Sequence, residues 1–176
     1  MKNDEQLMLE FQRGSSQSFE ELFDRYKNGI YAFFRRRLSN AARAEELTQE
    51  TFIVILRGIE RYEPHAKFRT YIYAIATKQL WTERRSELRA GRFAADPADA
   101  PQADDPTTAL WIRDALKQLD ADHREVLMLR EYEQLSYEEI AEVLVLPLNT
   151  VRSRLSRARS ELKALLESQS ANGVSR

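Results

Sequence analysis

Side chains that could contact DNA recur at helical spacing in the C-terminal part of this 176-residue chain. Between residues 148 and 165, apolar residues return every three or four positions, which predicts a helix with one buried stripe. Amide, hydroxyl and guanidinium groups lie off that stripe and could donate to phosphates and base edges. The candidate contacts to duplex DNA are Asn149, Thr150, Arg152, Ser153, Ser156 and Arg157.

A shorter helix is predicted immediately before this one. Ser136 and Glu139 have the spacing of a capping box, and Ile140, Val143 and Leu144 then supply an apolar face. Pro147 ends the first helix and suits the first turn of the next. Two helices joined by a tight turn predict a helix-turn-helix, a fold that presents one helix to a DNA groove.

The charge along this segment is segregated. Residues 131–151 contain five acidic residues and no Lys or Arg, whereas residues 152–163 contain five basic residues and one acid. Two ordinary core helices with solvated faces would mix the signs along each helix. The pattern therefore favours DNA binding over that simpler interpretation.

A second basic stretch is interleaved with aromatic residues. Residues 65–92 contain seven Lys or Arg against two Glu. Aromatic rings beside cations can stack unpaired bases, but the same rings could equally pack in the core, and the residues alone leave both possibilities open. The candidate contacts to single-stranded DNA are His65, Lys67, Phe68, Arg69, Tyr71, Tyr73, Lys78, Trp81, Arg84 and Arg85.

The N-terminal part is predicted to be helical throughout. One amphipathic helix contains Phe19 to Phe33, a second spans about Ala41 to Ile59, and a third about Thr70 to Arg89. The run FIVIL could form a buried strand, but no turn residue separates it from the helix-forming residues before it, which favours a helix. An outward stripe with an apolar residue in a polar rim suits a protein interface. It consists of Glu46, Gln49, Glu50 and Ile53.

These elements predict an all-α fold of two small helical domains, the second a helix-turn-helix (winged-helix-like) domain without evident strands. Residues 1–92 form the first domain and 109–167 the second, and 168–176 are expected to be a disordered tail. Residues 93–108 form a flexible acidic Pro/Ala/Asp linker, because they cannot bury enough apolar surface to order the chain.

Composition narrows the function further. The net charge is −1, so basic character is local, and the absence of cysteine excludes disulfides and Cys-ligated zinc. No apolar run approaches the ~20 residues of a membrane span, and no signal core is visible. We expect a cytoplasmic protein without membrane insertion, and no metal or other cofactor.

The order of motifs resembles the bacterial RNA polymerase sigma factors, most closely the extracytoplasmic-function (ECF) group. The strings SFEELFDRYKNGIYAFFRRRL, AEELTQETFIVIL, FRTYIYAIA and EIAEVLVLPLNTVRSRLSRAR carry the resemblance, which covers about residues 15–166. It implies that residues 1–92 act as sigma region 2 and residues 109–167 as sigma region 4.

The resemblance also implies partners. Glu46, Gln49, Glu50 and Ile53 would bind the clamp coiled coil of the beta-prime subunit, and the second domain would sit on the beta flap. The loop 61–69 and the helix after it would open the minus-ten element of promoter DNA and hold a flipped base. The recognition helix would read the duplex minus-thirty-five element. The linker would thread toward the active centre and the RNA exit path, and an anti-sigma protein would restrain the factor.

Several positions differ from the family pattern. Tyr71 stands where Trp is usual, Lys78 where Asn is usual and Thr82 where Asp is usual. Val145 and Asn149 occupy turn positions where the family has Gly. Val is unfavourable at positive φ, so this turn must differ from the family's turn or be strained.

Two other functions compete with this one. A helix-turn-helix regulator that binds DNA as a dimer without polymerase explains residues 110–166 but gives the stretch 65–92 no role. An enzyme is disfavoured, because the chain has no cysteine or glycine-rich phosphate loop, and its two histidines, His65 and His123, are far apart in sequence.

Overall fold

The computed structural model describes the backbone of residues 2–91 and 106–173 and the side chains of residues 2–91 and 110–168. These residues form helices with no strand among them, which confirms the all-α prediction. The helices are α1 (Asp4–Gln12), α2 (Ser16–Arg35), α3 (Ala41–Gly58), α4 (Phe68–Arg89), α5 (Pro106–Gln118), α6 (Ala121–Glu131), α7 (Tyr137–Leu144) and α8 (Leu148–Gly173). A 3₁₀ turn, Ile59–Arg61, follows α3.

The chain divides into two compact units, residues 1–98 and 99–176. Most of the linker predicted at 93–108 lies outside the described residues. Its last three residues belong instead to α5, which begins at Pro106, because proline is well tolerated at the first helical position. None of the helices in the described ranges combines the length and the apolar character that crossing a bilayer requires.

Unit 1 packs α2, α3 and α4 around a core of aliphatic and aromatic side chains. Leu22, Ile30 and Phe33 of the stripe predicted in α2 are fully buried. The run FIVIL is helical, as predicted: Phe52 and Ile55 enter the core, while its other three residues are exposed. The helix α1 packs mainly on α2 through fully buried Leu7 and Met8.

Unit 2 consists of α5 to α8. The capping box of α7 forms as predicted: Glu139 N–H donates to Ser136 Oγ at 3.1 Å, and Ser136 N–H donates to Glu139 Oε2 at 2.7 Å. Val145 ends α7 in the left-handed region with φ 54° and ψ 51°, so this turn keeps the geometry that favours glycine. Asn149 is not at positive φ, because it already belongs to α8.

The structure differs from the sequence prediction at the end of unit 2. The helix α8 continues to Gly173, so residues 168–173 of the predicted disordered tail are helical. Ser168 Oγ donates to Leu165 O at 2.8 Å within this last part of the helix. No proline interrupts residues 148–173, and extending an existing helix is much less costly than nucleating one.

Candidate nucleic-acid interface

The first half of α8 presents one polar face and one buried face. Val151, Leu155 and Ala158 are buried, and α8 packs on α6, α7 and α5. On the opposite side Thr150 is half-buried, and the other five predicted duplex contacts are exposed: Asn149, Arg152, Ser153, Ser156 and Arg157. The structure therefore brings this predicted set together on one surface.

The arginines of α8 divide into two groups. Arg154 pairs with Asp122 at 2.7 Å, and Arg159 pairs with Glu131 at 2.9 Å. In contrast, neither Arg152 nor Arg157 forms an ion pair within the part of the chain that the structure describes; Arg152 Nη1 donates only to Asn149 Oδ1, at 3.3 Å. Arg152 also interacts electrostatically with Glu138, so Arg157 is the arginine of the predicted DNA face whose charge is most available for phosphates.

The predicted single-strand surface is only partly accessible. His65 and Lys67 are exposed in the loop before α4, and Lys78, Trp81 and Arg85 are exposed along one side of α4. Arg69, Tyr71 and Arg84 are half-buried. Burial also raises the pKa of Tyr71, whose ring packs 5.6 Å from that of Tyr62.

Two predicted base contacts are wrong. Phe68 is 1% exposed and Tyr73 is 6% exposed. The ring of Phe68 packs edge-on against Tyr26 at 5.2 Å, and the ring of Tyr73 packs against Phe33 at 5.8 Å. Both rings are core residues, because the start of α4 is packed against α1, α2 and α3. They support the surface, and neither ring is accessible to a base in this structure.

The outward face predicted on α3 is present. Glu46, Gln49 and Ile53 are exposed, and Glu50 is half-buried. Sequence analysis missed Arg43, which donates to Glu46 at 2.8 Å, to Glu50 at 3.1 Å and to Glu83 of α4 at 2.8 Å. These carboxylates, Glu83 first, raise the pKa of Arg43. Arg43 therefore holds the two predicted glutamates in place and ties α3 to α4.

Unit 2 also contains a groove that sequence analysis missed. It has a volume of about 610 Å³ and lies between α5, α6 and the second half of α8. Apolar side chains line most of it, and Glu131 and Arg159 lie at its rim. Three residues of the apolar stripe predicted to be buried are half-exposed instead: Leu148, Leu162 and Leu165. Of these, Leu162 lines the groove. The apolar lining residues include Ile112, Leu116, Leu127, Met128, Leu162 and Leu166.

Comparison with known proteins assigns both units. The family model of sigma-70 region 2 matches residues 22–90, and that of sigma-70 region 4 matches residues 109–162. The RNA polymerase sigma factor CarQ of Myxococcus xanthus is 34% identical over 90% of this chain and 95% of its own. The sigma factor YlaC of Bacillus subtilis is 33% identical over 83% and 90%. The ECF sigma factor EcfG of Rhodopseudomonas palustris is 32% identical over 72% and 73%.

A solved structure, that of CnrH in complex with the cytosolic domain of CnrY, has the same fold. Its TM-score is 0.74 at 24% identity, and the match covers 94% of this chain and 97% of CnrH. The chain belongs to the RNA polymerase sigma factors, in their extracytoplasmic-function group. It therefore directs core RNA polymerase to promoters and starts transcription there. Because both units match sigma regions, the dimeric regulator has no support.

Proposed function

We propose that this sigma factor reads the duplex minus-thirty-five element with the polar face of α8. The observation that carries this proposal is the division of the arginines: among the described residues Arg157 forms no ion pair and Arg152 has only a longer-range interaction with Glu138, whereas Arg154 is paired with Asp122. Asn149, Thr150, Ser153 and Ser156 add amide and hydroxyl groups for base edges and phosphates. Two arginines on this face give few phosphate contacts, so the isolated unit binds weakly and with a strong salt dependence.

The minus-ten element is opened by the loop before α4 and the exposed side of α4. Trp81 is the aromatic residue most available for stacking, at 39% exposed, and the exposed cations beside it attract the displaced strand. Base–aromatic stacking contributes ~1–3 kcal/mol per base, which offsets part of the lost duplex stacking. The cations of this surface are Lys67, Arg69, Lys78, Arg84 and Arg85, and His65 lies in the same loop as Lys67.

Core polymerase is held at two places. The outer face of α3, with Glu46, Gln49, Glu50 and Ile53, binds the clamp coiled coil of the beta-prime subunit. The groove of unit 2 takes the beta flap, because an apolar groove of this kind accommodates the apolar face of an amphipathic helix. Weak binding by each unit then becomes specific when polymerase holds both at once.

Three further parts of the function follow from the family. The protein acts in the cytoplasm with polymerase, and the catalytic chemistry of transcription belongs to polymerase. An anti-sigma protein restrains it, as the complex of CnrH with the cytosolic domain of CnrY suggests by analogy. The linker runs toward the active centre and RNA exit path, although most of it lies outside the described residues.

Run-off transcription tests the proposal. Purified core polymerase is incubated with and without the protein on a library of promoter fragments. We expect transcripts with a defined start only when the protein is present, and comigration of the protein with core polymerase. Absence of both transcripts and comigration would contradict the proposal, and binding to a palindromic duplex without polymerase would favour the dimeric regulator.

A further inference from the structure

The loop between the 3₁₀ turn and α4, residues 62–67, is the segment that opens the promoter under the proposed function. Within the loop, His65 N–H donates to Glu63 O at 2.8 Å, and the side chains of these two residues contact each other. Lys67, the N-cap residue of α4, supplies no side-chain cap.

Both ends of this loop are bonded to α1. At the first end, Gln12 Nε2 lies 2.9 Å from Ile59 O, 3.1 Å from Tyr62 O and 3.4 Å from Glu60 O. At the second end, Phe68 N–H donates to Glu5 Oε1 at 2.9 Å. Glu5 thus provides the cap that Lys67 does not, and a carboxylate there also interacts favourably with the N-terminus of α4.

The geometry of α1 suits it to bridge the loop. Glu5 and Gln12 are seven residues apart, which places them on one side of the helix about 10.5 Å apart along its axis. Burial, and next the charge of Glu5, raise the pKa of Tyr62 to about 12, which is consistent with Glu5 lying close to the start of the loop as well.

The helix α1 is itself anchored. A capping box between Asn3 and Gln6 fixes its start, and Asp4 accepts hydrogen bonds from Arg25 at 2.6 Å and from Tyr26. Fully buried Leu7 and Met8 add apolar contact. The helix lies before residue 22, where the match to sigma-70 region 2 begins, so that match does not cover it.

We infer that α1 is a brace for the promoter-opening loop and that Glu5 and Gln12 are positioning residues for the capture of unpaired DNA. This inference rests on the proposed function of the loop. A loop whose two ends are already fixed loses less conformational freedom when it binds a strand, so a larger part of the contact energy remains for opening the duplex.

The first test measures the brace in the full chain without polymerase. The variants are Gln12→Glu, which replaces the amide donor by a carboxylate of the same shape, and Glu5→Ala. Gln6→Glu is the matched control, since it makes the same change on the same helix but keeps the side-chain oxygen that accepts from Asn3 N–H. We expect amide hydrogen exchange at residues 62–68 to become about 10-fold faster in the two variants and to stay unchanged in the control. Unchanged exchange in both variants would overturn the inference.

The second test measures function with core polymerase on a promoter that the wild-type protein transcribes. Permanganate reactivity of unpaired thymines reports promoter opening, and comigration reports polymerase binding. We expect Gln12→Glu and Glu5→Ala to lower promoter opening about 10-fold while polymerase binding stays within twofold, and Gln6→Glu to change neither.

The outcomes separate the two proposals. Faster loop exchange with normal promoter opening would overturn the positioning role of Glu5 and Gln12. Equal loss of opening in Gln6→Glu would also overturn it, because an added charge anywhere on α1 would then suffice. Failure of the wild-type protein to start transcription at any promoter would instead contradict the proposed function, while the exchange measurement would still report whether the brace exists.

Discussion

The two helices predicted to meet DNA, α8 and α4, differ in how they relate to the hydrophobic core. The first half of α8 buries one stripe and leaves its predicted polar face open. The first half of α4 is packed on several sides, and its buried residues include polar as well as apolar types. Where a helix buries a single stripe, the periodicity of the sequence indicates which residues are exposed. Where a helix is buried on several sides, the periodicity does not.

This difference explains why the predictions succeeded for one helix and failed in part for the other. On α8, residues off the apolar stripe had to be exposed. On α4, an aromatic residue beside a cation could be either a base contact or a core residue, and Phe68 and Tyr73 proved to be core residues. Trp81, about two turns beyond Tyr73 along the helix, is the aromatic residue that remains accessible.

The largest expected effect is on the free energy of unfolding of unit 1, in the comparison of Phe68→Ala with Trp81→Ala. Phe68→Ala removes a fully buried ring and should lower the free energy of unfolding of unit 1 by about 3–5 kcal/mol. Trp81→Ala should change stability by less than about 1 kcal/mol but weaken binding of unpaired promoter DNA by about 1–3 kcal/mol.

The chain offers a clean measurement of these stabilities, because it has one tryptophan in each unit, Trp81 and Trp111. In a Trp111→Phe background, the fluorescence of Trp81 reports denaturant unfolding of unit 1 for Phe68→Ala. Because Trp81→Ala removes this fluorophore, circular dichroism follows the unfolding of that variant. If Phe68→Ala kept full stability and lost DNA binding, Phe68 would be a base contact after all.

The next effect concerns the arginines of α8. Arg157→Ala should weaken holoenzyme binding to duplex promoter DNA by about 1–3 kcal/mol and reduce the salt dependence by about one counterion, with polymerase binding intact. Arg154→Ala is the matched control, since Arg154 is three residues away but paired with Asp122. Equal losses from both substitutions would contradict the division of the arginines, and loss of polymerase binding by Arg157→Ala would contradict the assignment of this face.

The sequence correctly predicted the features that depend on residues close together along the chain. The capping box at Ser136 and Glu139 and the buried stripe Val151, Leu155 and Ala158 are local patterns, and the structure contains both. The helical character of FIVIL followed from the absence of a turn residue before it.

The sequence did not predict contacts between residues that are far apart along the chain. Arg43 meets Glu83 forty positions later, and Gln12 meets the carbonyls of residues 59–62 nearly fifty positions later. The type and the spacing of a polar residue on a helix surface do not indicate such a distant partner. The groove of unit 2 was missed for the same reason, because an apolar stripe does not show where its neighbouring helix ends.

A third face, the outer side of α3, extends the comparison to a surface with acidic rather than basic residues. Ile53→Ala, and to a smaller extent Gln49→Ala, should weaken binding to core polymerase by about 1–2 kcal/mol and leave stability nearly unchanged, since Ile53 is 40% exposed. Titration of labelled protein with core polymerase measures this. Val54→Ala removes similarly exposed apolar surface from a neighbouring side of α3, so an equal effect there would contradict a binding face limited to the predicted residues.

The smallest effect tests the turn that presents α8. Val145 holds φ 54° although its side chain is branched at Cβ, and it is 85% exposed, so it gains little burial in return. Glycine avoids the steric cost of this conformation but makes the unfolded chain more flexible, so Val145→Gly should raise the free energy of unfolding of unit 2 by about 0.5–1 kcal/mol. Thermal unfolding followed by Trp111 in a Trp81→Phe background measures the change. Gln134→Gly, at φ 52° but unbranched, should gain less, and destabilisation by Val145→Gly would show that this turn is not strained.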